Sequence, residues 1–99
     1  MIRHCVMFRW KEGLPAGWID DVEAALATLP AAIPVIASYS FGRDVGVNPD
    51  NYEFAVVADF ATVEDYVVYR DHPDHKRVVA ELIVPNIAAR SAVQFNTGA

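Results

Sequence analysis

Residues 2–10 alternate strictly between two faces, and just beyond them the apolar period lengthens to that of a helix. That switch confines the chain to folds that lay helices on a sheet. Ile2, His4, Val6, Phe8 and Trp10 fall on one side of the extended segment, and Arg3, Cys5, Met7 and Arg9 on the other. Lys11-Glu12-Gly13 breaks the strand. From Pro15, the residues Trp18, Val22, Leu26 and Leu29 recur at spacings of four, four and three, one stripe of an amphipathic helix. Pro15 suits its first turn, and Pro30 is expected to close it.

The remaining segments repeat the theme. Val35 to Val45 predicts a second strand, with Val35, Ala37, Tyr39 and Phe41 on one face. Tyr52 to Phe60 predicts a third, after turn chemistry at 46–51. Thr62 with Asp65 resembles a capping box and starts a helix that carries Tyr66, Tyr69 and Arg70. Asp71-His72-Pro73 interrupts it, because proline biases the residue before it away from helical backbone. A fresh helix is expected from Pro73 towards Val84, stopped by Pro85, and Ala89 to Asn96 predicts a fourth strand.

The order is β-α-β-β-α-β. Right-handed crossovers place both helical segments on one face of a four-stranded antiparallel sheet, a ferredoxin-like α+β fold. The opposite face then carries Cys5, Met7, Ala55 and Val57, which is too apolar for a sheet surface meant for water. Two sheets packed face to face would bury it, so the expected assembly is a homodimer joined through the sheet as a dimeric α+β barrel. An apolar monomer surface is the alternative.

At 99 residues the chain predicts a single domain over 1–99, and 54% apolar with 21% charged residues is a globular composition. A lone Cys5 rules out an internal disulfide framework, and no zinc-type Cys/His spacing is present. No segment reads as a signal peptide or a membrane span, so the expected location is cytoplasmic, with no membrane partner. A net charge of −5 and scattered basic residues argue against a nucleic acid.

Glycine-rich nucleotide motifs, the nucleophile elbow and H-E-x-x-H are all missing from the sequence, which predicts no cofactor. Three histidines and a tyrosine remain. His4 stands on an otherwise apolar strand face and is expected to point towards the helices, either as a satisfied core histidine or as part of a site. His75 lies in the first turn of a helix, where the positive end of the dipole favours a neutral imidazole suited to general-base work; the alternative is a surface residue near a helix end. His72 precedes Pro73 in the N-cap region and reads as a turn-shaping residue. Tyr69 is either a donor to a developing oxyanion or an amphipathic packing residue, and Tyr66 reads as the latter. Three imidazoles could also hold zinc, but no carboxylate stands as an evident supporting partner, so no metal is expected.

Three segments together resemble the Dabb family of stress-responsive α/β-barrel domains. They are Ile2-Arg3-His4, the strand Phe54-Ala55-Val56-Val57-Ala58-Asp59-Phe60, and the run Tyr69-Arg70-Asp71-His72-Pro73-Asp74-His75. The resemblance spans essentially the whole chain. One branch of the family is similar to a plant polyketide cyclase that closes its substrate by a cofactor-free aldol condensation. That similarity implies His75 as general base and Tyr69 as the group that polarises a carbonyl. It implies that His4 completes the polar end by bonding to His75 or to the ligand.

On the same similarity, Val6, Phe8, Val22, Leu26 and Val56 would form an apolar wall around a small apolar or aromatic carbonyl ligand, with His72 and Phe54 beside it. Phe54 stands where the cyclase carries a further pocket histidine, and helix one offers the smaller Val22 and Leu26, so the plant substrate does not carry over. A non-catalytic stress-response or ligand-binding dimer and a cofactor-free monooxygenase are the competing readings.

Overall fold

In the computed structural model, which describes residues 1–99, strand β1 (Ile2–Trp10) begins and ends where the alternation predicts. Its His4, Val6, Phe8 and Trp10 are buried and its Cys5, Met7 and Arg9 are not. The chain continues through α1 (Trp18–Ala27), α2 (Leu29–Ala32), β2 (Ser38–Arg43), β3 (Phe54–Phe60), α3 (Val63–Asp71) and α4 (Pro73–Val78). A π-helical turn over Val79–Ile83 and a 3-10 turn over Val84–Asn86 then lead into β4 (Ile87–Asn96). The sheet order is β2-β3-β1-β4 with every neighbouring pair antiparallel. This is the ferredoxin-like βαββαβ arrangement, with the helices gathered on one face.

The prolines act differently from the expectation. Pro30 does not close the first helix. That helix ends at Ala27, where the Thr28 hydroxyl donates to the Ala25 carbonyl at 2.7 Å, and Pro30 sits in the first turn of α2, where no N–H is needed. Pro85 likewise lies inside the 3-10 turn. Proline lacks an N–H and its ring crowds the carbonyl four residues back, so α-helical spacing cannot run through it. The helix that begins at Pro73 therefore widens to π spacing after Val78, well before Val84. The second and third strands are shorter than the sequence suggests, beginning at Ser38 and Phe54, and β4 starts earlier, at Ile87.

The core lies between sheet and helices. β3 places Phe54, Val56, Ala58 and Phe60 inward at every second residue. The α1 stripe descends on them through Val22 and Leu26, followed by Leu29 and Ile33. Each of these side chains other than Ala58 contributes roughly 1.5–3 kcal/mol by leaving water.

The outer face carries Cys5, Met7, Ala55 and Val57, joined by Val93 and Phe95 of β4. Met7, Val93 and Phe95 are 42%, 55% and 46% exposed. At one end of this face Arg3 forms a bidentate pair with Asp59 at 2.8 and 2.9 Å, and Ser38 donates to the same carboxylate. The bonds from Arg3 hold the Asp59 carboxyl down at about 2. No helix is long and apolar enough to cross a membrane.

Register decides what β4 contributes to the helix side. His4 pairs with Gln94, Val6 with Ala92 and Phe8 with Arg90, so Gln94, Ala92 and Arg90 share the inner face of the sheet. All three are nevertheless exposed. The helices cover β1 and β3 and stop short of this edge strand, leaving a slot along it.

Candidate active site

A cavity of about 320 Å³ opens between the inner sheet face, α3, α4 and the π turn. Its floor is β1 and β3, through His4, Val6, Phe8 and Val56. Leu26 and Tyr39 close one side, and Val79, Ile83 and Ile87 the other. Tyr66, Tyr69, His75, Arg70 and Arg90 supply its polar groups. A few polar atoms in an apolar lining is the usual make-up of a small-molecule site.

The break between α3 and α4 builds the polar end. Thr62 caps α3 by accepting from the Asp65 amide at 3.1 Å, as the capping pattern predicts. At the other end His72 adopts extended backbone (φ −61°, ψ 135°) because Pro73 follows it. Its Nδ1 accepts from the Asp74 amide at 3.1 Å, so His72 is the N-cap of α4. The chain turns there, and His75 swings back over Tyr69 with ring centroids 4.2 Å apart.

His75 Nδ1 lies 3.0 Å from the Arg70 backbone oxygen. A carbonyl can only accept, so the neutral ring carries its proton on Nδ1 and leaves a lone pair on Nε2. His4, 5% exposed, has the opposite arrangement. Its Nδ1 accepts from the Gln94 side-chain amide at 2.8 Å, which places the proton on Nε2. Burial lowers the His4 pKa to about 4, aided by the nearby Arg90 and His75. Burial also lowers His75, against the raising effect of the Arg70 carbonyl. Both rings are therefore neutral near pH 7.

Tyrosines frame the two imidazoles. The rings of Tyr66 and Tyr69 lie 5.0 and 6.2 Å from that of His4. Tyr69 is 2% exposed, and its hydroxyl meets that of Tyr39 at 3.0 Å. When Tyr39 donates, the Tyr69 proton is free to point elsewhere. Burial raises both phenols, so they remain protonated donors.

The structure thus brings His4, Tyr69 and His75 into one cavity with Val6, Phe8, Leu26 and Val56. Three other expected residues do not line it. Val22 and Phe54, each 1% exposed, are consumed by the core, and His72 is held in its cap. Of the two partners expected for His4, His75 or the ligand, His75 makes no bond to it; Nδ1 is taken by Gln94, which the strand register sets directly beside the ring. Nor do three His, Cys, Asp or Glu side chains gather as a metal-binding group.

Tyr39, Ile87 and Arg90 belong to the lining without having been singled out by sequence. Tyr39 shares its strand face with Phe41 and reads as packing, while Arg90 stands in an alanine-rich strand with no pattern to mark it.

The stress responsive A/B barrel domain model matches residues 2–97. A dimeric ferredoxin-like protein of unknown function from Thermobifida fusca YX is 46% identical. That match covers 95% of this chain and 88% of the other, with a TM-score of 0.87. A Dabb family protein with a ferredoxin-like fold from Mesorhizobium loti is 25% identical, covering 96% of this chain and 94% of its own at a TM-score of 0.80. The hydroxynitrile lyase from Passiflora edulis shares the fold at 22% identity and a TM-score of 0.83, over 95% and 90% of the two chains. No curated protein matches the sequence. With a family model spanning nearly every residue, the chain belongs to the Dabb family of stress-responsive A/B barrel domains.

Proposed function

We propose that the protein is a cofactor-free acid–base enzyme that enolises a small carbonyl compound, in the manner of a polyketide cyclase. The observation that carries this reading is the opposed protonation of two neutral imidazoles on one cavity. His75 offers a lone pair at Nε2 and His4 offers a proton at Nε2. His75 takes a proton from the carbon beside the carbonyl, and the electron pair moves onto the carbonyl oxygen. Hydrogen bonds from Tyr69 and His4 hold that oxygen, and they strengthen as its charge grows. In an intramolecular aldol step the enolate carbon bonds to a second carbonyl carbon of the same molecule. The new alkoxide then recovers the proton from His75. No electrons are gained or lost.

The protein acts in this reading as a homodimer joined through the sheet. The apolar outer face around Met7, Val57, Val93 and Phe95 supports it, as does the dimeric description of the Thermobifida fusca relative. The occurrence of a hydroxynitrile lyase on the same fold is compatible with catalysis, while its substrate does not transfer to this chain.

The test is exchange of carbonyl α-protons in deuterated buffer, followed by proton NMR over a panel of aryl and aliphatic ketones. The wild-type protein is expected to accelerate exchange, and His75→Ala to lose about 100-fold or more of that rate with the dimer intact. Full activity in His75→Ala would remove the base. No acceleration with any panel member would favour the non-catalytic ligand-binding dimer.

A further inference from the structure

We infer that the carbonyl compound taken by this cavity carries a carboxylate, and that Arg90 is the residue that binds it. The inference rests on the acid–base reading above and names its substrate class.

The charged side chains that line the cavity are basic. Arg70 and Arg90 line the cavity, and no Asp or Glu does. A depression of about 410 Å³ adjoins it, sharing Arg70, His75, Val79 and Val84 and adding Lys76, again without a carboxylate. With Arg70 offset by Asp71, Arg90 and Lys76 leave this rim positive on a chain of net charge −5. Such a local reversal of sign draws anions towards the opening.

Within that rim Arg90 is the guanidinium left uncommitted. Arg3, Arg43, Arg70 and Arg77 are each paired with a carboxylate of the chain. Arg9 donates to the Asp50 carbonyl and lies over the Tyr52 ring. Arg70 in particular is neutralised by a bidentate bond to Asp71 at 2.9 and 3.0 Å. The Arg90 side chain has no hydrogen bond or ion pair within the chain, yet the residue stands opposite Phe8 on the inner sheet face and contributes to the cavity wall. A planar fork of donors is matched to a carboxylate in two-point contact.

Arg90 lines the same cavity as His75 and Tyr69, with Val6, Leu26 and Ile83 as apolar wall. An acid group held at Arg90 leaves the carbonyl and an apolar tail of a short keto acid to the rest of that cavity. A β-keto acid carries all three groups on a short chain.

Benzoylacetate and its methyl ester provide the test, with dissociation constants read from the His4 and His75 ring-proton resonances. The wild-type protein is expected to bind the acid about tenfold or more tightly than the ester, about 1.4 kcal/mol. Arg90→Met should equalise the two, and Arg90→Lys should keep most of the preference. Equal binding in the wild type, binding of neither compound, or an undiminished preference in Arg90→Met would overturn the assignment. Deuterium exchange separates the two readings. Exchange of the ester that needs His75, without any acid preference, leaves the base standing and removes the anchor; an acid preference without exchange does the reverse.

Discussion

Nδ1 of His75 donates to the backbone carbonyl of Arg70 at 3.0 Å, across the helix break at His72-Pro73. Arg70 is one of the last residues of α3, whose carbonyls have no partner within the helix. A side chain from the next helix supplies one, and in doing so fixes which nitrogen of its own ring can accept a proton. The break is therefore part of the site's construction: an unbroken helix would carry His75 along the α3 axis and away from Tyr69.

The paired hydroxyls of Tyr39 and Tyr69 predict unequal mutants. Tyr69→Phe removes the donor that faces the carbonyl oxygen and should lower kcat by about 100-fold, the usual cost of one such donor. Tyr39→Phe removes only the partner that orients it and should lower kcat by about tenfold or less, as a bond between neutral groups worth about 1 kcal/mol implies. Steady-state kinetics on any substrate found by the exchange panel checks this, and equal losses would contradict the division of roles.

Buried His4 makes stability depend on pH in a defined direction. Its pKa falls from 6.5 to about 4 on folding, so between these values the unfolded chain binds the extra proton. The contribution is fully present above pH 6.5 and is lost as pH falls to about 4, a change of up to about 3 kcal/mol. The lowered pKa of His75 acts in the same sense. Urea melts at intervals across this window should show stability rising with pH, and His4→Gln should flatten the rise.

His72 and His75 are three residues apart but should behave differently. His72→Ala removes an N-cap and is expected to cost about 1 kcal/mol, with turnover of the folded protein changed about twofold or less. His72→Asn, which can accept the same amide bond, should recover the stability. A loss of turnover from His72→Ala comparable to that of His75→Ala would put His72 in the site after all.

The outer sheet face should govern assembly separately from the cavity. Val57→Asp places a charge among Cys5, Met7 and Val93, and is expected to yield monomers by sedimentation velocity. Burying an unpaired carboxylate in an interface costs several kcal/mol. The cavity lies on the opposite face of the sheet, so ligand-induced shifts at His4 and His75 should persist in a folded monomer.

Local patterning determined the elements and their facing. The alternation of β1, the α1 stripe, the Thr62 cap and the break before Pro73 are each consequences of a few neighbouring residues, and all are legible in the sequence. Strand order sets the start of β1 beside the end of β3, where α3 begins, and so brings His4 to the correct end of the sheet. That His75 bends back to meet it is decided by the turn at His72-Pro73, which no period encodes. Periodicity gives a residue's side, however, and not its depth. Val22 and Leu26 share one stripe, yet packing seals Val22 into the core and leaves Leu26 on the cavity wall. The chemistry of the site depended on pairings that only the tertiary structure decides. Gln94 reaches His4 across 90 residues through the β1–β4 register, and Arg90 enters the cavity because the same register turns it inward where the helices end. No local signal encodes a register between strands so far apart. It is set by the closure of the whole sheet, and with it the proton positions and the charge that this site presents.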